Sequence, residues 1–224
     1  MQQTSIPTPS LRRLPVYRRR LRVAVEKGIP YVSSRQLGVA AGVPAAQVRK
    51  DLSWVEQEGR PGRGYEARAL ADELDLTLGL QCEKRAVVVG AGNLGSALAA
   101  YPGFAPCGLR IVALFDKDPA VIGKDVASLT VQPVEELAKV ARRDQVDMGI
   151  ITVPAEAAQN VADAMMEAGI HVLWNFAPTT LRVEEGVYVH NQDLVVELAV
   201  LSHQIVERRG GECPPHLPMA EDEA

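Results

Sequence analysis

The chain has 224 residues, 47% hydrophobic and 23% charged, which is room for two domains with cores of their own. It holds no run of about 18 apolar residues, no apolar h-region near its start and only three scattered cysteines, so a membrane span, a secretory leader, a disulfide framework and a zinc motif are not expected, and a reducing cytoplasm is. The net charge of −4 is uneven: residues 1–70 carry 13 Lys/Arg against 5 Asp/Glu and residues 71–224 carry 11 against 23, which implies a basic module fused to an acidic one.

Residues 1–9 read as a disordered lead. Pro15 is expected in the first turn of a helix with Leu14, Tyr17, Leu21 and Ala24 or Val25 on one face and Arg12, Arg13, Arg18, Arg19, Arg20 and Arg22 on the others. Gly28 and Pro30 end it. Ser33 with Gln36 makes a capping box that starts a short helix to about Ala41. Gly42 allows a turn, and Pro44 suits the first position of a second helix. With small Gly38 at the crossing and Val48 as anchor, the pattern is a helix-turn-helix. The second helix should expose Gln47, Arg49, Lys50 and Ser53 while Val48, Leu52 and Val55 face inward. Arginine pairs with guanine edges, glutamine with adenine, and lysine with phosphate. An αα-hairpin with solvated charges is the alternative. The stretch from Gly59 to Tyr65, carrying Arg60 and Arg63, reads as a basic wing or as an interdomain linker. The candidate DNA contacts are therefore Ser33, Ser34, Gln47, Arg49, Lys50, Ser53, Arg60 and Arg63. Ala67 to Leu78 is expected to be a helix, with Leu70, Leu74 and Leu78 in register.

The second module begins with the apolar run Ala86 to Val89, then GAGNLG at residues 90–95, then a helical pattern through Leu94, Ala97, Leu98 and Tyr101. A tight turn from a buried strand into a helix is a pyrophosphate-binding site. Gly90 permits the turn, Gly92 lets backbone approach the phosphates, Gly95 lets helix pack on strand, and the helix N-terminus supplies N–H groups. A second strand, Leu109 to Phe115, ends at Asp116, placed to hold a ribose diol and to repel a 2′-phosphate, with Lys117 beside it. Asp118-Pro119 and Gly123 mark a loop, and Pro133 opens a helix with Val134, Leu137, Ala138 and Ala141. Met148 to Val153 is a further strand stopped by Pro154. Ala155 to Ala168 is a helix, and His171 to Asn175 a strand followed by Phe176-Ala177-Pro178. Strands alternating with helices imply a mostly parallel sheet with ligands beyond the carboxyl ends of its strands. The candidate coenzyme contacts are Gly90, Ala91, Gly92, Asn93, Leu94, Gly95, Asp116, Lys117, Thr152, Val153, Pro154, Asn175, Phe176, Ala177 and Pro178. That rim lacks the acid or base a hydride-transferring enzyme places beside its substrate. His190 with Asp193 is the one pair that keeps an oxidoreductase reading open, and a coenzyme A-binding domain is a third. The last helix, Asp193 to about Arg208, is apolar nearly all round, with Leu194, Leu198, Leu201 and Ile205 on one stripe. Insertion into a partner subunit is expected, or else packing on its own sheet. Residues 210–224 read as a disordered tail.

Taken together, QVRKDLS at 47–53, the glycine fingerprint running into SALAxYPGF up to residue 104, FDxDP at 115–119 and NFAP at 175–178 resemble the bacterial redox-sensing transcriptional repressor family Rex, from about Leu11 to Arg208. The resemblance implies an α/β chain: a winged helix-turn-helix over 1–78, a Rossmann NAD(H)-binding domain over 79–192, a swapped dimerisation helix over 193–209 and a tail over 210–224. It implies no catalysis and no metal, NAD⁺ and NADH as ligands, palindromic operator DNA as partner, a homodimer, and release of DNA by NADH. By the same resemblance Tyr101 senses the nicotinamide by meeting Asp193 of the partner, and in the DNA-competent form that acid pairs instead with Arg19. The family often has an aromatic residue after this acid, where the chain has Leu194. After the recognition helix it usually has Tyr-Phe-Gly, where the chain has Trp54-Val55-Glu56, and Pro61 alters the wing.

Overall fold

The computed structural model describes residues 6–212 and divides after Glu83 into two compact units. In the first, α1 (Thr8–Glu26), β1 (Tyr31–Val32), α2 (Ser34–Ala41), α3 (Ala45–Leu52), β2 (Tyr65–Glu66) and α4 (Ala67–Thr77) surround one core. Leu14, Tyr17 and Leu21 of α1 meet Leu37, Val48, Leu70 and Leu74, all fully buried. The i, i+3, i+7 spacing in α1 lays one apolar stripe against both α2–α3 and α4. Leu78 packs at the edge of this core.

Residues 6–9 are ordered rather than a lead; residues 1–5 lie outside the described residues. Pro9 occupies the first turn of α1, so Pro15 falls inside the helix and not at its start. Pro15 lies on the exposed face together with Leu11, whose carbonyl it leaves without a helical donor, while the buried stripe holds the helix together.

Two carboxylates tie α1 to its neighbours. Fully buried Asp51 of α3 accepts from Arg13 Nε (2.6 Å) and Nη2 (2.7 Å), Tyr17 Oη (2.7 Å), Ser10 Oγ (2.9 Å) and Gln47 Nε2 (2.9 Å). Asp75 of α4 accepts from Arg18 and Arg22. Burial opposes ionisation of both acids, but these charge-assisted bonds outweigh it and hold each carboxyl below the usual carboxylate range.

The second unit is a seven-stranded sheet in the order β5-β6-β4-β3-β7-β8-β9, built from β3 (Lys84–Val89), β4 (Leu109–Asp116), β5 (Asp125–Val126), β6 (Leu129–Pro133), β7 (Met148–Ile151), β8 (Val172–Asn175) and β9 (Tyr188–Asn191). All neighbours are parallel except β5–β6. The strand β3 shows why both faces must be covered. Val87 and Val89 pack against α6 (Leu137–Asp144) and α7 (Ala155–Glu167), while Ala86 and Val88 pack toward Leu98 and Ala99 of α5 (Asn93–Ala99). After the loop marked by Asp118-Pro119 and Gly123 comes the β5–β6 hairpin, an element not expected from the sequence. Its turn is Ala127-Ser128, both at positive φ (51° and 66°), with Thr130 Oγ1 donating to Asp125 Oδ1 across the strands. Such a turn normally carries Asn-Gly, so nothing in its composition announces it. Asp193 caps the last helix, α8 (Leu194–Arg208), in which no residue is buried. Leu194, Val195, Leu198 and Leu201 are 58–66% exposed. Of the expected tail, residues 213–224 lie outside the described residues.

Candidate nucleotide and nucleic-acid sites

The carboxyl ends of β3, β4 and β7 open onto a cavity of about 530 Å³, within the range of small-molecule and cofactor pockets. Gly90, Gly92, Asp116, Lys117, Thr152, Val153 and Pro154 line it as expected, joined by Val134, Glu135, Ala157, Asn160, Val161 and Ala164, which periodicity alone assigned to helix interiors or passed over. Its valine and alanine wall can take a flat aromatic base, and its polar end can take a sugar and phosphates.

The glycine loop is shaped by close contacts. Gly90 has φ 108°, and a Cβ on Gly95 would lie 1.8 Å from the Gly90 carbonyl oxygen. Thr152 Oγ1 is 2.9 Å from that same oxygen, to which it donates. Gly92 differs in kind: it is extended (φ −67°, ψ −171°), and a Cβ there meets nothing within 4 Å. The space before it is open for a ligand, and Asn93, Leu94 and Gly95 begin the helix behind it. Asp116 does more than end a strand. Its Oδ2 accepts from the Ala91 N–H (2.7 Å) and its Oδ1 from those of Lys117 (2.7 Å) and Asp118 (3.0 Å), so the acid pins the glycine loop and keeps one accepting site, on Oδ2, for a sugar hydroxyl.

The NFAP turn does not line this cavity. Asn175 is fully buried: its Nδ2 donates to Thr179 O and Asn191 Oδ1 (2.9 Å each), and its Oδ1 accepts from the Ala177 N–H (3.0 Å). Asn175 therefore holds the turn's shape, with Ala177 buried, Pro178 exposed and Phe176 5.0 Å from the Trp174 ring. Tyr101 follows α5, 57% exposed, with its ring against Phe104. The Asp193 carboxylate accepts from the Val195 (2.8 Å) and Val196 (3.4 Å) N–H groups at the head of α8, beside exposed Leu194. His190 is half-buried in β9, its ring 6.3 Å from that of Trp174. Among the described residues no group of acids, histidines and cysteines could hold a metal, and no helix is long and apolar enough to cross a membrane.

In the first unit α2, the turn at Gly42 (φ 67°) and α3 form a helix-turn-helix, with Val48 and Leu52 buried and Arg49, Lys50 and Ser53 exposed. The capping box is present, and it occupies the Ser33 hydroxyl with Gln36. Arg49 Nη1 donates to Ser34 Oγ (3.3 Å), which steadies the arginine without burying it. Gln47 departs from expectation: half-buried, it gives its amide to Asp51 and is not wholly available to a base edge. The wing is a tight turn in which Arg60 bridges Gly64, leading into β2, which pairs antiparallel with β1. Arg60 and Arg63 are both exposed, and the Arg63 guanidinium lies over the Tyr31 ring at 4.9 Å. Arg19 is exposed on α1.

Comparison with known proteins supplies a context for both sites. Residues 5–53 match the family model "Putative DNA-binding protein N-terminus" and residues 81–179 match "CoA binding domain". The Rex repressor of Streptomyces coelicolor is 45% identical over 92% of this chain and 80% of its own, and that of Carboxydothermus hydrogenoformans is 45% identical over 92% and 99%. The crystal structure of RSP, a Rex-family repressor, is 33% identical over 92% of this chain and 97% of its own, with a TM-score of 0.83. RSP in complex with NAD⁺ and operator DNA gives a TM-score of 0.86, and in complex with NADH 0.81. Similarity at this level runs through both units together, and the chain belongs to the Rex family of redox-sensing transcriptional repressors.

Proposed function

We infer that this repressor reads the NADH/NAD⁺ balance in the cavity at the glycine loop and reports it through the winged helix, binding operator DNA when empty or NAD⁺-bound and releasing it with NADH. The observation that carries this reading is the pairing, in one chain, of a glycine loop pinned by Asp116 with an exposed Arg49–Lys50 edge on a recognition helix. The relatives are repressors rather than enzymes, and the half-buried His190 packed near Trp174 gives no reason to add a catalytic step.

In this reading Gly90 to Gly95 and Asp116 hold the pyrophosphate and adenosine ribose, and Arg49, Lys50 and Arg60 contact DNA. The exposed stripe of α8 inserts into a second copy, making a homodimer in the cytoplasm. Two dimer geometries then differ in the spacing of the recognition helices, and only one fits half-sites about one helical turn apart. The nucleotides differ by a hydride and the nicotinamide's charge, so discrimination must gather at that ring, where Tyr101 and the partner's Asp193 act, with Arg19 taking the acid in the DNA-bound form. Moving such an equilibrium from 1:99 to 99:1 requires about 5.5 kcal/mol of differential binding.

A mobility shift of a promoter fragment, with NAD⁺ and NADH titrated separately, tests the partner, the ligand and the direction together. NADH should release the fragment and NAD⁺ should not, and fragment affinity should fall steeply with salt. Arg49→Ala and Lys50→Ala should abolish the shift and leave NADH binding intact; normal binding by both variants refutes the assignment. The family-model match to a coenzyme A-binding domain favours one second reading. Displacement of NADH by coenzyme A in a titration would support it.

A further inference from the structure

The tyrosine assigned to redox sensing has a resting place. Its ring folds back over the turn after α5 and meets Phe104 edge-on, centroids 5.0 Å apart at 74°. Phe104 in turn lies 6.0 Å from the Trp174 ring of β8, so this resting place is anchored to the sheet. Its floor is Gly103. A Cβ there would stand 2.4 Å from Tyr101 Cε1, 2.7 Å from Cζ and 2.8 Å from Oη. These atoms are the far end of a side chain that is 57% exposed, so an added methyl is relieved by swinging the ring outward and not by moving backbone.

We propose that Gly103 is a positioning residue for the switch: a notch that holds the Tyr101 ring in the unliganded, DNA-competent state, from which NADH must draw it. This rests on the reading of Tyr101 given above. With the notch filled, the ring starts displaced, and NADH no longer has to lift it from Phe104. An edge-to-face pair contributes an increment that corresponds to about a twofold to tenfold change in affinity.

The test is titration of the full-length dimer with NADH and with NAD⁺. Gly103→Ala should tighten NADH by that factor and leave NAD⁺ unchanged, so the ratio of the two affinities moves, which a purely structural defect would not produce. Phe104→Leu, which adds no bulk, should shift the ratio in the same direction. In a Tyr101→Ala background, adding Gly103→Ala should change nothing, because the ring that the methyl displaces is gone. Equal effects on both nucleotides, or no effect, overturn the notch. If Gly103→Ala does not fold, Phe104→Leu decides alone, and an unchanged ratio overturns the proposal. Should Tyr101→Ala leave the ratio at its wild-type value, the sensing role of Tyr101 fails and the notch with it, an outcome distinct from failure of Gly103→Ala alone.

Discussion

Replacing Asp51 by alanine should unfold the DNA-reading unit more readily than any single surface change. Asp51 is fully buried and receives donors from Arg13, Tyr17, Ser10 and Gln47, so its loss strands an arginine and a buried tyrosine hydroxyl at once. Removing one partner of a buried pair costs about 3–5 kcal/mol. The Arg13 side chain is 22% exposed and can turn toward water, which puts the expectation near the lower end, about 3 kcal/mol. The two tryptophans fall one in each unit, Trp54 and Trp174. In a Trp174→Phe background urea unfolding followed by fluorescence therefore reads the first unit alone, and Asp51→Ala should lower its midpoint by the equivalent of that energy. The same carboxylate makes a pH prediction. Its folded-state pKa is depressed, as is that of Asp75, so their contribution is fully present above the unfolded value of about 3.9 and is lost as pH falls through the folded values. The wild-type unit should weaken progressively below about pH 4, and Asp51→Ala should flatten that dependence. A midpoint shift worth less than about 1 kcal/mol, within the range of a single ordinary hydrogen bond, would refute the reasoning.

Gly92→Val should abolish NADH binding while leaving the melting temperature of the unliganded protein and its DNA binding unchanged, because a Cβ there meets nothing within 4 Å and the valine methyls extend into the ligand's space. Calorimetry with and without the substitution checks this, and retained NADH binding would remove Gly92 from the phosphate site. NADPH should bind at least about tenfold more weakly than NADH, since Asp116 repels a 2′-phosphate by the equivalent of about 1.4 kcal/mol or more. Lys117→Ala should widen that gap, and side-by-side titrations decide it. Leu198→Glu with Leu201→Glu should yield a monomer by light scattering, because both positions lie on the exposed apolar stripe of α8. A dimer that survives the pair of charges would place the interface elsewhere.

What the sequence made legible was whatever is written locally. The capping box at Ser33 and Gln36, the Gly42 turn, and the strand–glycine–helix passage at 84–99 each depend on residues within a few positions of one another, and each has its expected form. The α8 stripe was legible as apolar for the same reason. What escaped depends on residues far apart in the chain. Nothing in the run from Ala45 to Leu52 says that Asp51 will collect Ser10, Arg13 and Tyr17 from a helix more than thirty residues away. That the Arg63 guanidinium would lie over Tyr31 escaped because that ring sits on β1, which only the fold brings beside the wing. The β5–β6 hairpin escaped because its turn uses two residues that rarely accept positive φ. Asn160 of α7 escaped because a helix-interior position carries no mark of the cavity it faces. A hint lay in the i, i+4 spacing of Gln47 and Asp51, a helical pair whose second member is an acid on the apolar side beside Val48 and Leu52.

In the proposed dimer α8, which buries none of its own residues, makes every molecule answerable to whichever copy it meets. In that dimer a subunit blind to DNA would still dock by α8, and the mixed pair would hold the promoter by one recognition helix. Drawn at random from equal pools, only about a quarter of pairs would keep both such helices. Lesions in the recognition helix should therefore behave as genetically dominant, whereas lesions that erase the α8 stripe should be recessive, because such subunits cannot poison anyone else's pair.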